Sequence, residues 1–193
     1  MNFESAILAG GKNSRYGGLN KAFIEVGDVT IIDRNIKVLK PLFLRISIIT
    51  NHPEQFSNYR SYPMTGDYFH EIGPLAGIHS ALKNIEADAV FISSCDMPFL
   101  DSSLISLLLD TANNENADVI IPRVKGKIEP LFAVYSRNIL NQLEIHIKES
   151  ENRSIRSFIE KVNTLYIDFE DNETTQKAFI NINRPEDLDS LKV

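Results

Sequence analysis

Short apolar runs alternate with helical patterns along residues 5–135, and this alternation restricts the fold more than any other feature of the chain. Runs suited to buried strands occupy residues 5–8, 45–50, 89–93, 119–121 and 131–135. Between them, residues 31–39 set Ile32, Ile36 and Leu39 on one helical face, residues 74–84 open with Pro74 and stack Leu75, Ile78 and Leu82, and residues 102–111 repeat Leu104, Leu107 and Leu108. Strands alternating with helices imply βαβ units, because a parallel pair needs a crossover that lays a helix on the sheet. The expected class is α/β, a Rossmann-like three-layer sandwich with a mostly parallel central sheet. Residues 123–129 are polar and read as a hairpin or a loop, and residues 138–150 as a helix with Ile139, Leu140, Leu143 and Ile147 inward. A shorter helix at 155–161, a strand at 163–168, a polar turn at 170–175 and a closing helix from Pro185 complete the pattern.

With 193 residues, 43% of them hydrophobic, the chain can bury a substantial core as one domain over residues 1–193. No stretch reaches the roughly 18 consecutive apolar residues of a membrane-spanning helix, and Met1-Asn2-Phe3-Glu4 lacks the basic and apolar segments of a signal peptide, so a cytoplasmic location is expected. Cys95 is the only cysteine, which excludes an internal disulfide and a thiolate metal cluster. The net charge of −6 argues against a general nucleic-acid binder, which needs a basic face to displace counterions. A phosphorylated small molecule needs only a few cations focused in one cleft, and Lys12, Arg15 and Lys21 lie within ten residues of one another.

Those cations belong to the string Leu8-Ala9-Gly10-Gly11-Lys12-Asn13-Ser14-Arg15-Tyr16-Gly17-Gly18-Leu19-Asn20-Lys21, directly after the first strand, where an open parallel sheet has its ligand cleft. Its four glycines allow the backbone to approach a phosphate with several N–H groups. It lacks the GK[ST] ending of a P-loop and the glycine spacing of a dinucleotide fingerprint. A surface loop with solvated cations would have the same composition.

The whole string resembles the L-A-G-G-x-x-x-R-M-G-x-x-K signature of the GT-A-like nucleotidyltransferases, with a nucleotide-diphospho-sugar transferase-like fold. The resemblance implies that Gly10 and Gly11 cradle the triphosphate and that Arg15 and Lys21 neutralise developing charge. Tyr16 replaces the more usual Met, and Asn20 stands where molybdopterin transferases commonly carry Asp.

By local sequence Asn51 and Asp67 are turn residues. Gly73-Pro74-Leu75-Ala76-Gly77, however, resembles the motif by which molybdenum cofactor guanylyltransferases and their cytidylyl relatives seat the base, with Gly77 leaving room for a planar ring. On that match Leu8, Ala9, Gly10, Gly11, Lys21, Asn51, Asp67, Gly77 and Asp96 bind GTP, and Asp67 is suited to accept from N1 and N2 of guanine. Asp96, in Cys95-Asp96-Met97-Pro98-Phe99-Leu100, reads either as a cap before Pro98 or as a hard oxygen ligand for Mg²⁺. The string resembles the family's metal motif, so the resemblance makes Asp96 the metal ligand and Arg15, Lys21 and Asp96 the catalytic set. Asn181-Ile182-Asn183-Arg184-Pro185-Glu186-Asp187-Leu188 resembles the terminal N-x-N-x-P-E-D-L motif, which assigns Asn181 and Asn183 to the metal or acceptor. Glu129, in Glu129-Pro130-Leu131, matches the acceptor segment, and Arg153 and Arg156 are candidates for the pterin phosphate or members of a solvated helix face. His52, His70, His79 and His146 show no ligand spacing.

These motifs run in family order from Leu8 to Leu188. The resemblance implies transfer of GMP from GTP to the phosphate of molybdopterin or molybdenum-molybdopterin, with Mg²⁺ as cofactor, transient contact with cofactor-biosynthesis or acceptor proteins, and neither nucleic acid nor membrane as partner. The alternatives are a cytidylyltransferase on the same cofactor, a transferase for another phosphorylated acceptor, and a non-catalytic nucleotide- or molybdopterin-binding protein.

Overall fold

A computed structural model of the chain describes residues 1–10, 20–183 and 187. Its elements are β1 (Phe3–Leu8), the short pair β2 (Glu25–Val26) and β3 (Val29–Thr30), α1 (Ile31–Leu39), β4 (Ile46–Ile49), β5 (Met64–Thr65), α2 (Pro74–Asn84), β6 (Ala89–Ser94), α3 (Ser102–Asn114), β7 (Val119–Val124), β8 (Lys127–Ile128), β9 (Phe132–Ser136), α4 (Leu140–Glu149), α5 (Ile155–Ile159), β10 (Thr164–Asp168) and α6 (Glu173–Ala178). The main sheet runs β10-β7-β9-β6-β1-β4-β5, with β8 beside β7.

Alternation along each strand produces the three layers. Ile7, Phe91 and Phe132 point to a layer containing Ile32 and Ile36 of α1 and Ile105 and Leu108 of α3. Their strand neighbours Leu8, Ile92 and Ala133 point to the other layer, with Leu75 and Ile78 of α2, Leu143 and Ile147 of α4, and Phe158 of α5. Both faces of the sheet are covered, which is why these strands read as continuous apolar runs. A fully buried side chain of this size contributes roughly 1.5–3 kcal/mol, so two such layers dominate the folding free energy.

Connection length sets strand direction. β1 pairs parallel with β4 and β6 because helices carry the chain across, and β10 lies parallel to β7 after α4 and α5. No helix separates β7 from β9, and β9 returns antiparallel between β6 and β7. Residues 123–129 take the hairpin form, with β7 pairing antiparallel with β8 through a turn at Lys125 (φ 48°) and Gly126 (φ 78°). Two consecutive residues with positive φ fit the strand twist of a tight hairpin.

The stretch read as a polar turn, 170–175, instead opens α6: the Asn172 side chain accepts from Thr175 N and caps the helix. Of its six residues only Thr175 and Ala178 are buried, so apolar periodicity did not announce it. The closing helix expected from Pro185 falls outside the described residues apart from Asp187. No described helix is long and apolar enough to cross a membrane.

Candidate active site

Parallel pairing brings three strand ends to one edge. Leu8 at the end of β1 pairs with Ile49 of β4 and Ser94 of β6. The ladder continues past the strands, with Ala9 N donating to Ile49 O at 2.8 Å and Cys95 N to Leu8 O at 3.0 Å. This registration delivers Gly10, Asn51 and Asp96 to the same rim, although they come from three separate parts of the chain.

On one side of the rim stand Lys21 and Asp96. Lys21 follows Asn20 in a single 3₁₀ turn, Lys21–Phe23, capped by the Asn20 side chain. Its Nζ donates to Asp96 Oδ2 at 3.1 Å and to Asn183 Oδ1 at 3.0 Å. Asp96 Oδ1 accepts from Ser94 Oγ at 2.6 Å, and Asp96 O accepts from Ile182 N at 2.8 Å. The Lys21 and Asp96 side chains are 24% and 19% exposed, so the pair is shielded yet reachable from solvent. Asn183 N donates in turn to Asp187 Oδ2 at 2.7 Å. Asn181, two residues earlier, turns its amide back onto Phe179 O at 3.2 Å, so only Asn183 of the two meets Lys21.

Glu129 lies within electrostatic reach of this pair. Burial pushes its carboxyl up, the Leu131 N–H pulls it back in part, and the negative charge of Asp96 raises it further. The common side chains here are hard oxygen donors: Asp96, Glu129, Ser94 and Asn183. Among the described residues no group of three or more His, Cys, Asp or Glu side chains is placed to hold a metal by itself. A single strong carboxylate with phosphate oxygens and water completing the shell is the arrangement that suits Mg²⁺, so the donor set fits that ion.

On the other side of the rim Asn51 and Asp67 form a clasp. Asn51 Nδ2 donates to Asp67 Oδ2 at 2.8 Å, and Asp67 N donates to Asn51 Oδ1 at 2.7 Å. Gly66 makes the clasp sterically possible, since a Cβ there would meet Asn51 Oδ1 at 3.0 Å. A Cβ at Gly10 would come within 3.9 Å of Asp67 Oδ2, which shows how closely the start of the glycine-rich loop runs beside the clasp. The segment between the clasp and α2 carries Glu71 at φ 62° and Gly73 at φ 69°. A non-glycine residue in the left-handed region persists only where its surroundings impose it, and such positions concentrate at ligand sites. Gly77 of α2 is buried, and a Cβ there would meet Leu8 Cδ1 at 3.1 Å, so its small size lets α2 close onto the end of β1.

Lys21, Asp96 and Asn183 therefore meet directly, with Leu8, Ala9, Gly10, Asn51, Asp67 and Gly77 along the same strand ends. Arg153 and Arg156 are exposed and touch none of these residues; Arg153 Nε donates to its own loop at Ser150 O, 3.3 Å away. Gly11 and Arg15 lie outside the described residues, as does Lys12. Sequence reasoning passed over Ser94, whose only signal is its place two residues before Asp96 in the same string. His79 is fully buried, with Nε2 3.0 Å from Glu144 Oε1, and His52, beside Asn51, turns its ring to Glu54 at 3.1 Å.

Comparison with known proteins shows the family and the fold. A family model described as MobA-like NTP transferase domain matches residues 5–165. A protein of Carboxydothermus hydrogenoformans named as a probable molybdenum cofactor guanylyltransferase is 35% identical over 99% of this chain and 95% of its own. A molybdenum cofactor guanylyltransferase of Desulfosudis oleivorans is 37% identical over 74% of this chain and 70% of its own. Among solved structures, molybdopterin-guanine dinucleotide biosynthesis protein A of Archaeoglobus fulgidus superposes with a TM-score of 0.80 at 24% identity, covering 97% of this chain and 95% of that one, and so shares the fold. With the matched region running from within β1 to the start of β10, the chain belongs to the MobA-like NTP transferase family and is a nucleotidyltransferase.

Proposed function

We propose that this chain transfers GMP from GTP to the terminal phosphate of molybdopterin, or of its molybdenum-loaded form, giving molybdopterin guanine dinucleotide and pyrophosphate. The observation that carries the reading is the Lys21 ammonium held between Asp96 and Asn183 at the ends of β1 and β6. The names of the relatives, guanylyltransferases over most of the chain, support the choice of nucleotide and acceptor.

In this reading Gly10, Gly11 and the backbone after β1 receive the triphosphate, and Lys21, with Arg15 from the sequence motif, compensates the charge that develops as the reaction proceeds. An oxygen of the acceptor phosphate forms a bond to the α-phosphorus of GTP while the α–β bridging P–O bond breaks in line, releasing pyrophosphate. A phosphate dianion is nucleophilic at neutral pH, so no general base is needed. Asp96, supported by Ser94, would hold Mg²⁺, and the ion would supply Lewis-acid neutralisation of phosphate oxygens. Lys21, now bonded to Asp96, would then be free to turn to the phosphates. Leu8, Ala9 and Gly77 flank the base, and Asp67, oriented by Asn51, accepts from guanine N1 and N2. Glu129, Asn181, Asn183, Arg153 and Arg156 serve the acceptor.

The test is nucleotide selectivity with molybdopterin as acceptor: pyrophosphate release and dinucleotide formation should be fastest with GTP. Preference for CTP would make the chain a cytidylyltransferase on the same cofactor. Binding of GTP without pyrophosphate release in the presence of acceptor would reject catalysis in favour of a carrier.

A further inference from the structure

Asn20 is 1% exposed, and its amide head is hydrogen-bonded at both ends. Nδ2 donates to Ala9 O at 2.8 Å, at the end of β1. Oδ1 accepts from Ala22 N at 3.0 Å, which caps the turn carrying Lys21. The same oxygen faces Cys95 Sγ at 3.9 Å. The Cys95 S–H is a weak donor, and Asn20 Oδ1 is its acceptor. One side chain thus ties together three segments: the end of β1, the start of the Lys21 turn and the segment leaving β6.

Two of the attachments adjoin the pair: Ala22 is one residue after Lys21, and Cys95 is one residue before Asp96. Lysine has a flexible four-carbon stem and loses considerable rotamer freedom when its ammonium is held in one place. A Lys21 ammonium meets Asp96 only if the two backbones are already in register. We propose that Asn20 is the positioning residue that sets Lys21 opposite Asp96, and that it acts through Lys21 without touching substrate. This rests on the assignment of Lys21 to charge compensation in the proposed reaction.

An amide meets both needs of the position. The position needs a donor for Ala9 O and an acceptor for Ala22 N on one short planar head. Leucine, close to asparagine in size, and alanine offer neither group. A buried polar group left unpaired in this way is unfavourable, so the turn would shift to find other partners.

The experiment measures Lys21 directly. Pulse acylation of lysine amines, read by peptide mass spectrometry at pH 8, is compared in wild type, Asn20→Leu and Asn20→Ala, with exposed Lys148 as internal reference and circular dichroism to establish folding. Lys21 should label several-fold faster in both variants while Lys148 is unchanged. A parallel double-mutant cycle measures kcat for GMP transfer. Asn20→Leu alone should lose about tenfold to a hundredfold in kcat, the scale set by small misplacements of a reacting group, with a smaller change in KM for GTP. In a Lys21→Ala background the same substitution should have little further effect. Wild-type labelling of Lys21 in folded Asn20→Leu, or an equal kcat loss with and without Lys21, would overturn the proposal. If wild type transfers no nucleotide at all, the functional reading fails, while the labelling still decides whether Asn20 positions Lys21.

Discussion

Asp96 and Lys21 are 75 residues apart in sequence, and their side chains meet at 3.1 Å. Asp96 caps no helix; the cap of α3 is Asp101, which accepts from Ser103 N and Leu104 N. Its carboxylate stands at the rim with Lys21 and takes little part in the core. Asp96→Ala should abolish Mg²⁺-dependent turnover with an unchanged far-UV circular dichroism spectrum, and retention of wild-type activity would remove Asp96 from the metal role. Lys21→Ala should lower kcat by a factor on the order of 100, as loss of one preorganised charge in such a site does. A change confined to the affinity for GTP would make Lys21 a ground-state binder only. Asp67 gives a sharper test, because Asn51 already takes one of its oxygens. In Asp67→Asn the single amide oxygen must serve either Asn51 or the base, and one donor goes unmet at a cost of about 1–3 kcal/mol. Selectivity for GTP over ATP should then fall roughly tenfold or more, and inosine triphosphate, which lacks the N2 amine, should lose less on the variant than on wild type. Equal selectivity in both proteins would return the base to backbone groups near Leu8 and Gly77.

At the scale of elements, the approach of α2 to β1 depends on a missing Cβ. A side chain at Gly77 would press on Leu8 Cδ1 and Cδ2 at 3.1 and 3.2 Å. Gly77→Val adds a branched side chain at that contact, and overpacking of this kind typically costs about 1–3 kcal/mol. Thermal denaturation should show a lowered Tm for Gly77→Val; an unchanged Tm would mean that Leu8 yields freely. α1 and α2 were legible because their apolar faces repeat at helical spacing: the sequence reading and the structure agree on 31–39 and on 74–84. α6 was not, because a six-residue helix with two buried positions has no stripe to detect, and its cap Asn172 reads equally as a turn. β5 is two residues long and exists by pairing with β4, so nothing local marks it.

For the molecule as a whole, one ionic tie spans the layer formed by α2 and α4. Glu144 bonds His79 and Lys83, and those bonds hold its carboxyl down from 4.5 to about 2, with the charges of Lys83 and His79 adding. A carboxylate whose pKa is depressed by folding stabilises the protein above its unfolded pKa, and that contribution is lost as pH falls through the folded value. Urea denaturation should therefore find Glu144→Gln less stable than wild type at pH 7, with the difference closing between pH 4.5 and about 2. A difference that is constant across this range would show that packing and not charge carries the contact. By itself the sequence determined the α/β class, the strand and helix periods, and the placing of Gly10 and Asp96 at one edge of the sheet, because periodicity and the residues that follow a strand are local properties of the chain. Tertiary structure alone decided that β9 runs antiparallel, that Asn183 and not Asn181 meets Lys21, that Asn51 orients Asp67, and that Asn20 joins three segments through one amide. Each of these is a contact between residues distant in sequence, set by strand register and by where buried donors find acceptors, and no local pattern encodes such a pairing.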